Sequence, residues 1–275
     1  MSTATAAAAT APAAPARSYA LRDAMTMLRR NLKHMRRYPS MTISIAVMPV
    51  LMLLLFVYVF GGALGTGIGA GADRGDYINY VVPGIILMSA TSGAVATAVS
   101  VCTDMTEGII NRFRTMSISR GSVLTGHVLG SVIQVTAVLA LVTGVSLAIG
   151  FRPDASPVEW LAAFGLLAFL AFGLAWLSAA MGMGAKTVES ASNAPLPLTF
   201  LPFLGSAVVP PDSMPTGLRW FAEYQPFTPI NETLRGLLLG TPIGNNGWLA
   251  PAWCTALTLA GYLWSRTTFN RQPIR

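Results

Sequence analysis

Charge is scarce in this sequence. Of 275 residues only 11% are Asp, Glu, Lys or Arg, against roughly 25% in an ordinary soluble domain, while 53% are hydrophobic. That balance excludes a large soluble fold and points to segments that sit in lipid. Carboxylates are scarcest where they would matter most: within the long apolar runs there is no Asp or Glu except Glu159, at the mouth of one of them. A proton-coupled carrier is expected to bury carboxylates at mid-membrane, so that class is disfavoured. The only histidines, His34 and His127, have no carboxylate or cysteine close in sequence, which leaves a membrane enzyme without a visible nucleophile-base pair. Cys102 and Cys254 lie in apolar runs that the topology below puts nearer opposite faces; neither a disulfide nor a metal site is expected. A nucleotide-binding loop is missing too. MGMGAKTVES imitates one, but Ala185 and Ala180 stand where the motif needs glycine, and no other Gly-Lys-Ser/Thr occurs.

What is present is a series of apolar stretches near or above the roughly 18 residues that cross hydrocarbon. The sequence predicts an all-α polytopic membrane protein of six spans. Residues 1–16 are Ala, Thr and Pro without a charged side chain and read as a disordered tail rather than a signal peptide. Residues 17–38 read as an amphipathic interfacial helix. Leu21, Met25, Leu28, Leu32 and Met35 share one face, with Arg22, Arg29, Arg30, Lys33, Arg36 and Arg37 around the remainder to meet anionic headgroups.

A transmembrane domain is expected over residues 39–266, followed by a tail at 267–275. Its spans are Met41 to Phe60, with Pro49 as a kink, Ile78 to Val101, Val123 to Ile149, Val158 to Met181, Ala194 to Val209 and Trp248 to Ser265. The fifth is short and interrupted by Pro195, Pro197 and Pro202. Pro210 to Gly240 mixes aromatic and Leu residues with Arg219, Glu223, Glu232 and Arg235, which suits two short helices dipping into the outer leaflet. Glu232 and Arg235, at i and i+3, are expected to pair or to cap that half-helix. His127 and Gln134 are expected to make interhelical hydrogen bonds rather than to relay protons.

With the amino terminus inside, fourteen of the eighteen Lys and Arg residues fall on cytoplasmic segments. The net charge is then +10 inside and −3 outside, which satisfies the positive-inside rule. The basic residues are topological and are not arranged as a nucleic-acid platform.

One polar stretch breaks the apolar pattern from within: DMTEGIINRFRTMSISRG, Asp104 to Gly121. Asp104 and Glu107 come first and Arg112, Arg114 and Arg120 last, the order a helix dipole prefers, and Ile109, Ile110 and Phe113 share an apolar face. A solvated loop whose arginines only fix topology fits the same residues.

Two longer stretches resolve the choice by resemblance. EGIINRFRTMSISRGSVLTGHVLGS (Glu107 to Ser131) and VVPPDSMPTGLRWFAEYQPFTPINETLRGLLLG (Val208 to Gly240) resemble the type-2 ABC exporter permeases, and among them the daunorubicin-resistance-type drug permeases. The resemblance covers about Ser18 to Arg266. His127 departs from it, standing where that family has Arg, and Gln225 stands where Asn is common.

The resemblance implies a membrane subunit without its own ATPase site, working with a second permease copy, identical or related, and two copies of a separately encoded ATPase that binds ATP and Mg. It implies a short cytoplasmic coupling helix at Asp104 to Arg120, with Glu107 and Arg112 or Arg114 making polar contacts to the ATPase and Ile110 and Phe113 filling its groove. Arg17 to Arg37 would be the connecting helix. The implied substrate path lies between two permeases in the bacterial plasma membrane, and Met48, Met52, Phe56, Phe200 and Phe203 are its candidate lining for an amphipathic drug, metabolite or lipid. A cell-envelope polysaccharide or glycolipid is the alternative cargo.

Overall fold

The computed structural model describes residues 25, 28–29, 32–33, 37, 39–61, 74–107 and 120–271. Among them every regular element is helical. Met25, Leu28, Arg29, Leu32, Lys33 and Arg37 have helical backbone, and Met25 and Leu32 leave their apolar side chains exposed.

The first full helix, α1 (Pro39–Leu54), carries Pro49 in its interior and winds on as a π-helical turn over Leu55–Phe60. Next come α2 (Arg74–Thr91) and α3 (Gly93–Thr106), which together form one apolar rod with a break at Ser92. Residue Arg120 opens α4 (Arg120–Ala148), and α5 (Pro157–Gly184) follows after a turn. The start of α5 is fixed by its own first turn. Ser156 N–H donates to Glu159 Oε2 at 2.6 Å, Glu159 N–H donates back to Ser156 Oγ at 3.4 Å, and Pro157 occupies the first helical position. Glu159 at the span mouth is therefore a cap.

Among the described residues four helices are long and apolar enough to cross a membrane: Thr42–Phe60, Gly75–Thr106, Leu124–Ala148 and Pro157–Gly184. The first and third agree with the expected spans to within a residue at each end, and the second and fourth run past theirs by up to five residues, because a helix continues into the interface as long as no breaker stops it.

The expected fifth span is not one helix. After α6 (Val188–Asn193), it consists of α7 (Leu196–Phe200) and a 3₁₀ turn at Leu201–Leu204, with Pro195 ahead of α7, Pro197 in its first turn and Pro202 in the 3₁₀ turn. Each proline removes a donor and clashes with the preceding turn. A second 3₁₀ turn (Pro211–Ser213) leads to α8 (Thr216–Tyr224) and α9 (Phe227–Leu239), the two short helices expected there. The latter stops at Gly240, whose φ of 70° supplies the left-handed cap. Last is α10 (Asn246–Arg271), long enough to cross but more polar than the other four.

Directions follow from paired contacts. A Cβ on Gly93 would meet Val135, and Thr97 bonds Ser131, so α3 and α4 are antiparallel. A Cβ on Gly182 would overlap the backbone of Ala98, and Cys102 Sγ lies 3.9 Å from the Ala185 carbonyl, so α5 runs parallel to α3. Ala185 sits beside Cys102 while Ser206 sits beside Tyr80, so the broken segment runs antiparallel to α2 and α3 along about 33 Å of their length. Finally, a Cβ on Gly173 would meet Thr258 and one on Gly261 would meet Leu177, which makes α5 and α10 parallel.

The α2–α3 rod is central. In its apolar window 72% of residues are buried, against 22% in α1. Tyr77, Ile85, Leu139, Leu167, Leu170, Phe227 and Ile230 form the main core, and a smaller cluster of Val101, Leu124, Val128, Ala179, Met183 and Phe269 closes the end near Thr106. Cys102 and Cys254 are both buried free thiols.

Candidate functional site

Two polar clusters stand out in this apolar body, one at each end of the α2–α3 rod. The first grows out of the antiparallel α3–α4 seam. Moving along it from Gly93, the contacts become more polar: Gly93 on Val135, then Thr97 Oγ1 donating to Ser131 Oγ at 2.7 Å, then Ser100 Oγ 3.4 Å from His127 Nδ1. At the last turn of α3, His127 Nε2–H donates to Asp104 Oδ2 at 2.9 Å. A carboxylate only accepts, which puts the proton on Nε2 and leaves Nδ1 facing the Ser100 hydroxyl. Both side chains are nearly buried, at 9% exposed for His127 and 11% for Asp104. On the same helix, Gln134 Nε2 donates to Thr42 Oγ1 at 3.3 Å, tying α4 to α1. The interhelical hydrogen bonds expected of His127 and Gln134 are both present.

The residues expected to engage an ATPase distribute unevenly. Asp104 turns towards α4 rather than outward, and Glu107, just past α3, is exposed. Residue Arg120 begins α4. Ile110, Arg112, Phe113 and Arg114 lie outside the described residues, as do Arg22, Arg30 and Arg36 of the amino-terminal helix; Arg29, Lys33 and Arg37 are exposed. Nearby, Thr187 caps α6 by accepting from Ser190 N–H at 3.2 Å. Backbone and Thr187 hydrogen bonds hold the Glu189 carboxyl below the usual range.

The second cluster answers a local problem. The proline-broken segment ends in an irregular stretch whose backbone groups have no helical partner, and in an apolar setting each must be satisfied by protein. Arg235 does much of this. One arm of its guanidinium donates to Glu232 Oε1 at 2.7 Å; the other donates to the carbonyls of Ser206 at 3.1 Å and Tyr80 at 3.2 Å. The group also lies 4.1 Å over the Tyr80 ring. Asn231 Nδ2 donates to the Ser206 carbonyl and to Ser206 Oγ, each at 3.1 Å, and the Tyr80 hydroxyl donates to the same carbonyl at 3.3 Å. Thr228 Oγ1 accepts from Ser206 N–H at 3.4 Å. Gly84 faces the next residue so closely that a Cβ there would overlap the Ala207 carbonyl.

The expected Glu232–Arg235 pair is thus present, within a knot joining α2, the broken segment and α9. Tyr80, Ser206, Thr228 and Asn231 are the members that reading the sequence missed. The signal for Asn231 was its place one residue before Glu232; for Tyr80 and Ser206 no local signal exists.

The candidate path residues separate into two groups. Met48 is exposed and Met52 and Phe56 half-buried on α1, with Phe56 and Phe60 ring centroids 5.6 Å apart. Phe200 is exposed and Phe203 half-buried after the proline break, 6.2 Å apart. Both α1 and α7 pack on α2. Beyond the knot, α8 displays Trp220 and Tyr224, 66% and 65% exposed. On its polar side Arg219 pairs with Asp212 at 2.6 Å and Glu223 at 2.8 Å, and these acids hold the guanidinium pKa up.

Against this geometry, residues 22–239 match the family described as ABC-2 type transporter. The chain belongs to that family. It is 29% identical over 228 residues to a daunorubicin resistance ABC transporter permease protein, DrrB1, of Streptomyces coeruleorubidus, covering 82% of this chain and 78% of that one. It is also 25% identical over 174 residues to a probable doxorubicin resistance ABC transporter permease protein, DrrC, of Mycobacterium tuberculosis, covering 62% of this chain and 61% of that one. As an ABC-2 permease the chain is a multi-pass membrane protein and the membrane subunit of an ABC transporter, which implies a partner ATPase.

Proposed function

We propose that this permease works in an exporter that moves an amphipathic drug, secondary metabolite or lipid outward across a bacterial plasma membrane. The observation that carries this reading is the similarity to DrrB1 along 82% of the chain. A second permease copy and two ATPase subunits complete the assembly, with ATP and Mg bound on the ATPases and no nucleotide site in this chain.

Both termini are cytoplasmic and there are six crossings. The alternation of directions among α3, α4, α5, the broken segment and α10 supports this count, as does the roughly 33 Å depth that the broken segment shares with α2–α3, close to the hydrocarbon thickness of about 30 Å. Asp104 to Arg120 receives force from the ATPase, with the helix at residues 17–38 lying against membrane and ATPase together. The exposed Met25 and Leu32 suit an interfacial position. The cargo passes between permease copies, along Met48, Met52, Phe56, Phe200 and Phe203.

The test is purification from the native membrane in gentle detergent, then ATP hydrolysis in proteoliposomes with daunorubicin as the probe. A stoichiometric ATPase should co-purify, and daunorubicin should raise its rate. Glu107→Ala and Phe113→Ala should abolish that stimulation while leaving the permease inserted. Absence of any ATPase, or stimulation unaffected by both substitutions, would overturn the reading; stimulation by a glycolipid alone would move the cargo to the cell envelope.

A further inference from the structure

The α3–α4 seam ends in a feature that an apolar bundle would avoid without need. A carboxylate and an imidazole, 9–11% exposed, face each other at 2.9 Å where hydroxyl and methyl contacts suffice further along. Burying such a pair costs desolvation that its own attraction repays only in good geometry, so stability alone is weak reason for its presence. A positional role explains a buried pair better than stability does.

Its position says what the function is. Asp104 lies in the last turn of α3 and His127 two turns into α4, so the pair closes the two helices together on either side of residues 108–119. Among the described polar contacts of the seam, the others are Ser100–His127 at 3.4 Å, which loses its partner too if His127 goes, and Thr97–Ser131, two turns further from the connection; around them lies the apolar cluster of Val101, Leu124 and Val128. Apolar packing is non-directional, so without the pair nothing described at this end fixes one helix against sliding on the other as force enters at the connection.

We propose that Asp104 and His127 are a positioning pair that makes α3 and α4 move as a single lever. This rests on the reading that Asp104 to Arg120 receives force from the ATPase. The pair touches neither cargo nor nucleotide; it sets how much of each ATPase stroke reaches the membrane path.

The experiment measures cargo transported per ATP hydrolysed by the full complex in proteoliposomes, with daunorubicin as the probe. Loss of folded protein lowers both rates together and leaves the ratio unchanged, so the ratio reports coupling alone. His127→Ala and Asp104→Ala should each lower it roughly tenfold, the scale of one charge-assisted hydrogen bond. His127→Arg, which keeps a donor facing Asp104, should restore most of it. A wild-type ratio in His127→Ala would overturn the proposal. Should that variant fail to assemble, a wild-type ratio in Asp104→Leu, which keeps the bulk and removes the acceptor, would overturn it equally. Failure of the exporter reading looks different, because the wild-type complex would then show no stimulated hydrolysis or transport.

Discussion

The two polar clusters hold helices together by opposite designs. At the Asp104 end the Asp104–His127 pair adds to the contacts between two regular helices whose backbones are already satisfied. At the Arg235 end, one side chain and its neighbours satisfy a backbone that cannot satisfy itself: the Ser206 carbonyl alone accepts from Asn231, Arg235 and Tyr80. A pair between intact helices can be weakened without unfolding anything. A knot that replaces missing backbone bonds cannot, because its loss strands several groups at once. Mobile coupling therefore belongs at the first end and rigid architecture at the second.

The sharpest way to break this comparison is Arg235→Ala. It leaves Glu232 half-buried and removes a donor from two carbonyls, so it should destabilise by about 3–5 kcal/mol, read as a large fall in melting temperature in detergent. Arg235→Lys keeps the charge but not the fork and should fall between the two. An unchanged melting temperature in the alanine variant would place the knot among dispensable contacts.

A smaller effect is expected from Gly84→Leu. The added side chain must push Ala207 from α2, at a cost of roughly 1–3 kcal/mol, and the disturbance should stay at the Arg235 end. Reaction of buried Cys102, at the other end, with a thiol reagent checks this: it should remain as slow as in the wild type. Fast labelling would show that the two clusters are not independent.

The smallest effect belongs to Arg219→Ala. Its two ion pairs are short, at 2.6 and 2.8 Å, but its side chain is 46% exposed and water screens both. The melting temperature should not move beyond its error, and a clear fall would mean that α8 is braced by charge and not by its aromatic face.

Much of this architecture was legible along the chain. Apolar length marked the helices, three prolines marked the broken segment, and the i, i+3 spacing of Glu232 and Arg235 marked their pairing. What was not legible depends on which helix lies beside which. Tyr80 and Ser206 are 126 residues apart and carry no local sign of each other. His127 looked isolated because no acid is near it in sequence; the α3–α4 hairpin brings Asp104 to it across 23 residues. The register could have been anticipated, since Gly93–Val135, Thr97–Ser131 and Asp104–His127 are all pairs around one centre near residue 115. Fixing that centre required knowing where the helices end.

The parallel packing of α5 and α10 also sets a schedule for synthesis. Two parallel helices cannot dock as a hairpin; the chain must first cross back between them. The face of α5 that carries Gly173 and Leu177 is covered by residues about 85 positions later. At roughly 5–20 residues per second, that face waits on the order of 4–17 s in the membrane before its partner is made. A chain cut short before Asn246 would therefore leave that face of α5 without its helical partner.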